Sequence, residues 1–271
     1  MYQTLRHHAS VAFCMARLTI QGQLQYPMFL LSWAVGIPIQ SFVGIWLLKT
    51  MVQQFDSLAG WTFPQLAFLY GLSLVSHGLQ VIFFIQTWFV SDYVTNGDFD
   101  RYLLRPLNVF FQFIIQYVNL IGVLDLIPGI IIFLYGANAV GFTWTIPHLL
   151  QVGGVVFGAV LIRAASYLIV GSVAFWTQRS SSLTWMMMGL MDNATIYPVS
   201  IYPRFIQSLF TFIMPLAFIS FYPACDFLKQ ESNLGFSLTF VLWTPLVGLG
   251  YFVLAQMIFL RGLQRYESAG S

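Results

Sequence analysis

The residues able to do chemistry are few and poorly spaced for it. His7, His8, His77 and His148 show no HExxH spacing, and no carboxylate or cysteine joins them in a metal-ligand pattern. Cys14 and Cys225 stand at opposite ends of the chain and form neither a CxxC pair nor a disulfide framework. There is no GxxxxGK(S/T) phosphate loop, and the lysines are Lys49 and Lys229. Hydrolysis within a bilayer needs a facing nucleophile and base, or two embedded acids, and Asp125 is the acid that falls well inside an apolar stretch. Catalysis and metal binding are therefore set aside, and His77 is expected to bond a neighbouring helix. Arg163 is the other charge inside an apolar stretch, and each would cost about 2.5–3.5 kcal/mol on insertion scales if left alone. On antiparallel helices the two would differ in depth by about 4.5 Å. An ion pair between Asp125 and Arg163, the lining of a polar route and separate contacts all remain open.

The elements that carry these residues belong in a membrane. The 271 residues are 58% hydrophobic, 18% aromatic and 7% charged, against about 45–50% apolar and about 25% charged in an ordinary soluble domain. So few charges could not cover a water-exposed surface. A net charge of +2 with scattered basic residues excludes a nucleic-acid interface.

A crossing helix needs about 20 apolar residues. Charge-free intervals place spans near 27–48, 66–90, 205–222 and 236–260. The interval from Val109 to Thr177, 69 residues long, is too long for one crossing and splits at 136–148 into spans near 109–135 and 149–177. The expected fold is an all-α polytopic membrane protein with six transmembrane helices, one permease domain over residues 1–271, and both termini on one side. Arg6, Arg17, Arg101, Arg105, Arg179, Arg204, Arg261 and Arg265 fall on that side, against Lys49 and Lys229 on the other, so both termini are expected in the cytoplasm. Residues 1–26 resist reading as a signal peptide, because Arg17 and Gln21 interrupt the apolar stretch. Leu5, Ala9, Ala12, Ala16, Ile20 and Leu24 recur at helical spacing and predict an N-terminal interfacial helix.

The loop between spans two and three is the most informative. Asn96-Gly97 signals a turn, Asp98 can cap a short helix with Asp100 in its first turn, and Arg105 closes it before Pro106. Phe99, Tyr102 or Leu103, and Pro106 share one side, which predicts an apolar face offered to something beyond the bilayer. Residues 180–203 read as a second cytoplasmic interfacial helix and loop. Tyr-Pro pairs at Tyr26, Tyr197, Tyr202 and Tyr222 sit near span boundaries and read as interfacial anchors. Pro38, Pro128, Pro215 and Pro245 fall inside spans and are candidate hinges.

Three segments resemble the membrane subunits of type-2 ATP-binding-cassette exporters, in their compact six-span bacterial branch. They are Gly97-Asp98-Phe99-Asp100-Arg101-Tyr102-Leu103-Leu104-Arg105-Pro106-Leu107, the run from Ile201-Tyr202-Pro203-Arg204 through Met214-Pro215-Leu216-Ala217-Phe218 to Tyr222-Pro223-Ala224, and the terminal Arg265-Tyr266-Glu267-Ser268-Ala269-Gly270-Ser271. The resemblance implies a permease in a bacterial inner membrane that pairs with a second copy or a related permease. It also implies two cytosolic ATPase subunits, which hold the ATP and Mg while this chain binds no cofactor. Residues 97–107 would be the coupling loop, and an amphipathic compound, drug or lipid, the exported cargo. The competing class is a stand-alone carrier or channel that uses Asp125 as a proton or ion site; no inverted repeat supports it.

Overall fold

The computed structural model describes residues 2–55, 57–230 and 239–267. The first residues of the sixth expected span, 236–238, and residues 268–271 of the third resembling segment lie outside the described residues, as do the side chains of Leu5, Ala9 and Ala12. Among the described residues the chain is helical, with no strand. In order come α1 (Tyr2–Leu24), α2 (Pro27–Phe55), α3 (Phe63–Phe84), a 3-10 turn (Ile85–Phe89), α4 (Val90–Thr95), α5 (Asp100–Leu103) and α6 (Val109–Ile115). There follow α7 (Ile121–Ala139), α8 (Ile146–Ser172), α9 (Ala174–Thr177), α10 (Ser181–Ile196), α11 (Arg204–Ser208), α12 (Phe221–Leu228) and α13 (Phe240–Leu263).

Five helices are long and apolar enough to cross a membrane: Pro27–Phe55, Phe63–Thr95, Ile121–Ala139, Ile146–Thr177 and Phe240–Leu263. Their ends follow local rules. Thr62 N–H donates to Gln65 Oε1 at 2.9 Å and Pro64 occupies the first turn of α3. Asn108 Oδ1 accepts from Phe111 N–H at 3.0 Å to start α6, and Thr145 caps α8.

The third span is interrupted. Its helix stops at Ile115 and restarts at Ile121, leaving 116–120 unwound. The fifth expected span requires a larger correction. Residues 205–222 do not form one helix but α11, a π turn (Leu209–Ile213), a break at Met214 and Pro215, a 3-10 turn (Leu216–Phe218) and the start of α12. Pro215 has no N–H and forces the preceding residue out of helix; Met214 has φ −120° and ψ 96°. Pro215 therefore sits at a break, whereas Pro38, Pro128 and Pro245 lie within continuous helices.

α10 also departs from expectation, because it is not an interfacial helix beneath the bundle. Ser180 N–H donates to Ser91 Oγ at 2.8 Å and Ser180 Oγ to the Gly171 carbonyl at 3.0 Å, which starts α10 at the bundle end that carries the 97–106 loop. Fifteen residues on, Thr195 meets Ser73 of α3 at 2.8 Å, so α10 runs through the bundle. The segment after it folds back inward, where Ser220 Oγ donates to the Thr195 carbonyl at 3.2 Å.

Close packing between helices rests on glycine. A Cβ placed on Gly122 would stand 2.5 Å from the Gly78 carbonyl oxygen, and one on Gly129 would stand 2.9 Å from Val75 N. Gly71 and Gly136 meet the Phe133 and Phe68 backbones in the same way. Seven-residue spacing of Gly71 and Gly78, and of Gly122, Gly129 and Gly136, lays these contacts along one seam between α3 and α7. Gly158 and Gly248 bring α8 and α13 together similarly.

Candidate functional site

The loop end of the bundle is organised around one side chain. Gly97 has φ +76°, a conformation that disfavours any residue with a Cβ, and turns the chain so that Asp98 N–H donates to the Tyr93 carbonyl at 3.0 Å. The following residue, Phe99, is fully buried. Its ring lies 5.4 Å from Phe175, 5.6 Å from Phe113, 5.7 Å from Phe259 and 5.8 Å from both Tyr93 and Tyr266. Those five rings come from α4, α6, α9, α13 and the residues just after α13, so one phenyl group joins the ends of four separate helices at this end of the bundle.

The helix that follows is a single turn, α5, and begins one residue later than a cap at Asp98 would place it. Asp98 instead pairs with Arg101 at 3.6 Å. The Arg101 guanidinium sits 5.2 Å above the Tyr102 ring. The Tyr102 hydroxyl donates to Gln116 Oε1, and Gln116 Nε2 donates to the Tyr93 hydroxyl at 2.6 Å. Gln112 Nε2 donates to the Leu107 carbonyl at 2.9 Å and to that of Tyr102 at 3.3 Å, which fastens the loop to α6. Burial, reinforced by neighbouring Tyr93, pushes the Tyr102 phenol up to about 12, so it remains a neutral donor. The Tyr266 phenol is also pushed up to about 12, by burial and then by the nearby Asp100 and Asp98 carboxylates.

The expected outward apolar face is corrected by this geometry. Phe99 and Tyr102 point into the bundle, and the outward surface is Leu103, 51% exposed, Leu104, 86% exposed, and the exposed Arg101, Arg105 and Pro106. An aromatic side so placed buries far more area among the span ends than it could at a loop surface.

The second candidate is the polar centre. Arg163 is 2% exposed, yet Asp125 is not its ion-pair partner. Its guanidinium is held by neutral groups: Nε donates to Ser76 Oγ at 3.1 Å, and Nη2 to Ser73 Oγ at 2.7 Å, the Ser73 carbonyl at 3.3 Å and Thr195 Oγ1 at 3.1 Å. Nη1 faces Met191 Sδ at 3.8 Å. Asp125 instead lies beside His77, Oδ2 to Nδ1 at 3.6 Å, across the α3–α7 seam. His77 therefore approaches a neighbouring helix without reaching hydrogen-bond distance, and the two charges, Asp125 and Arg163, make separate contacts.

Three features were not read from the sequence. Asp192 and Asn193 are exposed on α10 close to the turn that contacts Arg163, a placement the sequence did not show because that polar pair reads equally well as the mark of an interfacial helix. The glycine heptads announced the α3–α7 seam. Gln23, placed next to the apolar stripe of α1, gave no sign of its partners in the third span. Comparison with family sequence models finds a match to a family described as ABC-2 family transporter protein, over residues 11–270. No curated protein matches the chain. No solved structure matches it.

Proposed function

Because the chain belongs to the ABC-2 family of transporter proteins, we propose that it is the permease subunit of an exporter whose separate cytosolic ATPase subunits bind ATP and Mg. A second permease, identical or related, completes the translocation route. The coarser part stands on the family and on the five long apolar helices: this is a multi-pass membrane protein and the membrane subunit of a transporter.

The observation that carries the finer reading is the anchoring of Phe99. The loop presents Leu103, Leu104, Arg101 and Arg105 outward while its buried ring touches four helix ends. A displacement delivered by a closing ATPase to that outer surface is passed to all four at once. Arg101, Arg105, Arg179, Arg261 and Arg265 lie at this end, against Lys49, Lys229 and, because it follows α10 as a crossing, Arg204, which the sequence alone had put with the first group; the remaining excess supports a cytoplasmic loop and cytoplasmic termini, as a bacterial inner-membrane permease would have. With α10 as the fifth crossing, the number of crossings is six.

The free face of α10 supports a route for amphipathic cargo. Ser182, Trp185, Met186, Gly189, Asp192 and Asn193 are exposed on it. A carboxylate turned to hydrocarbon is costly, so this mixed face suits a lining better than a lipid contact.

The test is reconstitution with a cognate ATP-binding-cassette ATPase subunit. The complex should show ATP-dependent export in vesicles, Leu104→Asp should release the ATPase in mild detergent, and Asp98→Ala or Arg105→Ala should leave hydrolysis while export falls. Ion-driven transport by the lone chain, or unchanged export in both loop variants, overturns the reading.

A further inference from the structure

The unwound residues 116–120, just before the long apolar helix Ile121–Ala139, leave backbone groups that no helix satisfies. The structure answers several of them, among them both Val118 groups, Asn119 N–H and Leu120 N–H, from named sources. Gln23 of α1 donates through Nε2 to the Val118 carbonyl at 2.7 Å and accepts at Oε1 from Leu120 N–H at 2.9 Å. Thr19, one turn earlier, accepts at Oγ1 from Val118 N–H at 3.4 Å. Asn119 N–H donates to the Ile82 carbonyl at 3.1 Å, and Asn119 Oδ1 accepts from Ile121 N–H at 2.9 Å. An amide side chain that donates and accepts at two positions of one unwound segment reads its backbone as a β-strand neighbour would.

The break also sits next to the loop. Gln116, its first residue, is bonded to Tyr102 and Tyr93, and Gln112 one turn before is bonded to the loop backbone. The loop and α6 therefore form one short lever, with 116–120 where it meets the rest of the third span. α1 holds that junction through side chains alone. Without Gln23 the segment has no equivalent partners, and a push on the lever would be spent in deforming it.

We propose that Gln23, assisted by Thr19, is a positioning residue for energy coupling: it ties the N-terminal helix to the break in the third span, so that lever, junction and α1 move as one body. This rests on the exporter reading above, and goes beyond it by giving the N-terminal helix a part in transmission rather than only a place at the membrane surface.

The experiment uses the reconstituted complex with Cys14→Ser and Cys225→Ser, and reads export and ATP hydrolysis in the same vesicles. Gln23→Ala should lower export per ATP about tenfold or more, with hydrolysis within about twofold of the parent. Gln23→Glu, which keeps the acceptor for Leu120 N–H and loses the donor to Val118, should fall between. Gln23→Cys with Val118→Cys should be uncoupled until a short bis-thiol linker joins the two sites, and should then recover export. Parent-level export per ATP in Gln23→Ala, or a linked pair that stays uncoupled, overturns the proposal. Should a Gln23 variant fail to assemble, Thr19→Val gives the same reading by a smaller loss, and parent-level coupling there counts against it. A parent complex that hydrolyses ATP without exporting defeats the exporter reading instead, so the two failures are distinguishable.

Discussion

Phe99 and Arg163 are both fully enclosed, and their enclosures were differently legible. The sequence placed Phe99 and Tyr102 on one side of a short helix, and they are on one side; a pattern of apolar residues does not say whether the covered side faces inward. Phe99→Ala would empty a site lined by five rings, and we expect a loss of about 3–5 kcal/mol of stability, read by thermal unfolding in detergent. Export per ATP should fall further than the stability loss alone would cause. That Arg163 needed partners was readable from its depth; that they would be Ser73, Ser76 and Thr195 was not, since isolated hydroxyl residues in a span look alike whether or not they bond a charge. Their fork-like arrangement around Nε and Nη2 suits a planar guanidinium. Arg163→Lys keeps the charge but cannot reach all three, and should lower stability by about 1.5–3 kcal/mol. Equal stability of the lysine variant would show that the hydroxyls hold charge rather than shape.

At the scale of elements, charge-free length located α2, α3 and α13, and splitting the long apolar interval located α8, because each is a long uninterrupted helix. It also marked 205–222 as a span, for absence of charge describes that broken segment as well as it describes a helix, while the polar pair Asp192-Asn193 made 181–196 look interfacial. Pro215 was the available correction, since proline after an extended residue breaks a helix. The interruption at 116–120 carried no proline or glycine and could not be seen, because it depends on partners in α1, α3 and α4. Glycine at seven-residue intervals was visible and now has a cause. Gly136→Ala should destabilise the fold by about 1–3 kcal/mol, since the added methyl meets the α3 backbone around Ala67 and Phe68. Gly153→Ala, which meets open space, should be neutral or slightly stabilising. Thermal unfolding of the two variants side by side checks the seam.

At the scale of the whole molecule, the charge asymmetry makes a prediction independent of any transport assay. In a background with Cys14→Ser and Cys225→Ser, Leu104→Cys should react with a membrane-impermeant thiol reagent only in inverted vesicles, and Thr50→Cys only in intact cells. Labelling of both from one face would contradict the orientation and with it the direction of transport.

The glycine seam has a mechanical consequence for any passage that opens here. Two rods meshed backbone to backbone cannot slide or twist past each other without collision, so α3 and α7 behave as a single stiff stave. Compliance must then reside in neighbours with thinner grips, such as the scarcely enclosed α2 and the short α10. The width to which the barrel can breathe, and so the girth of what it admits, is set at that rim.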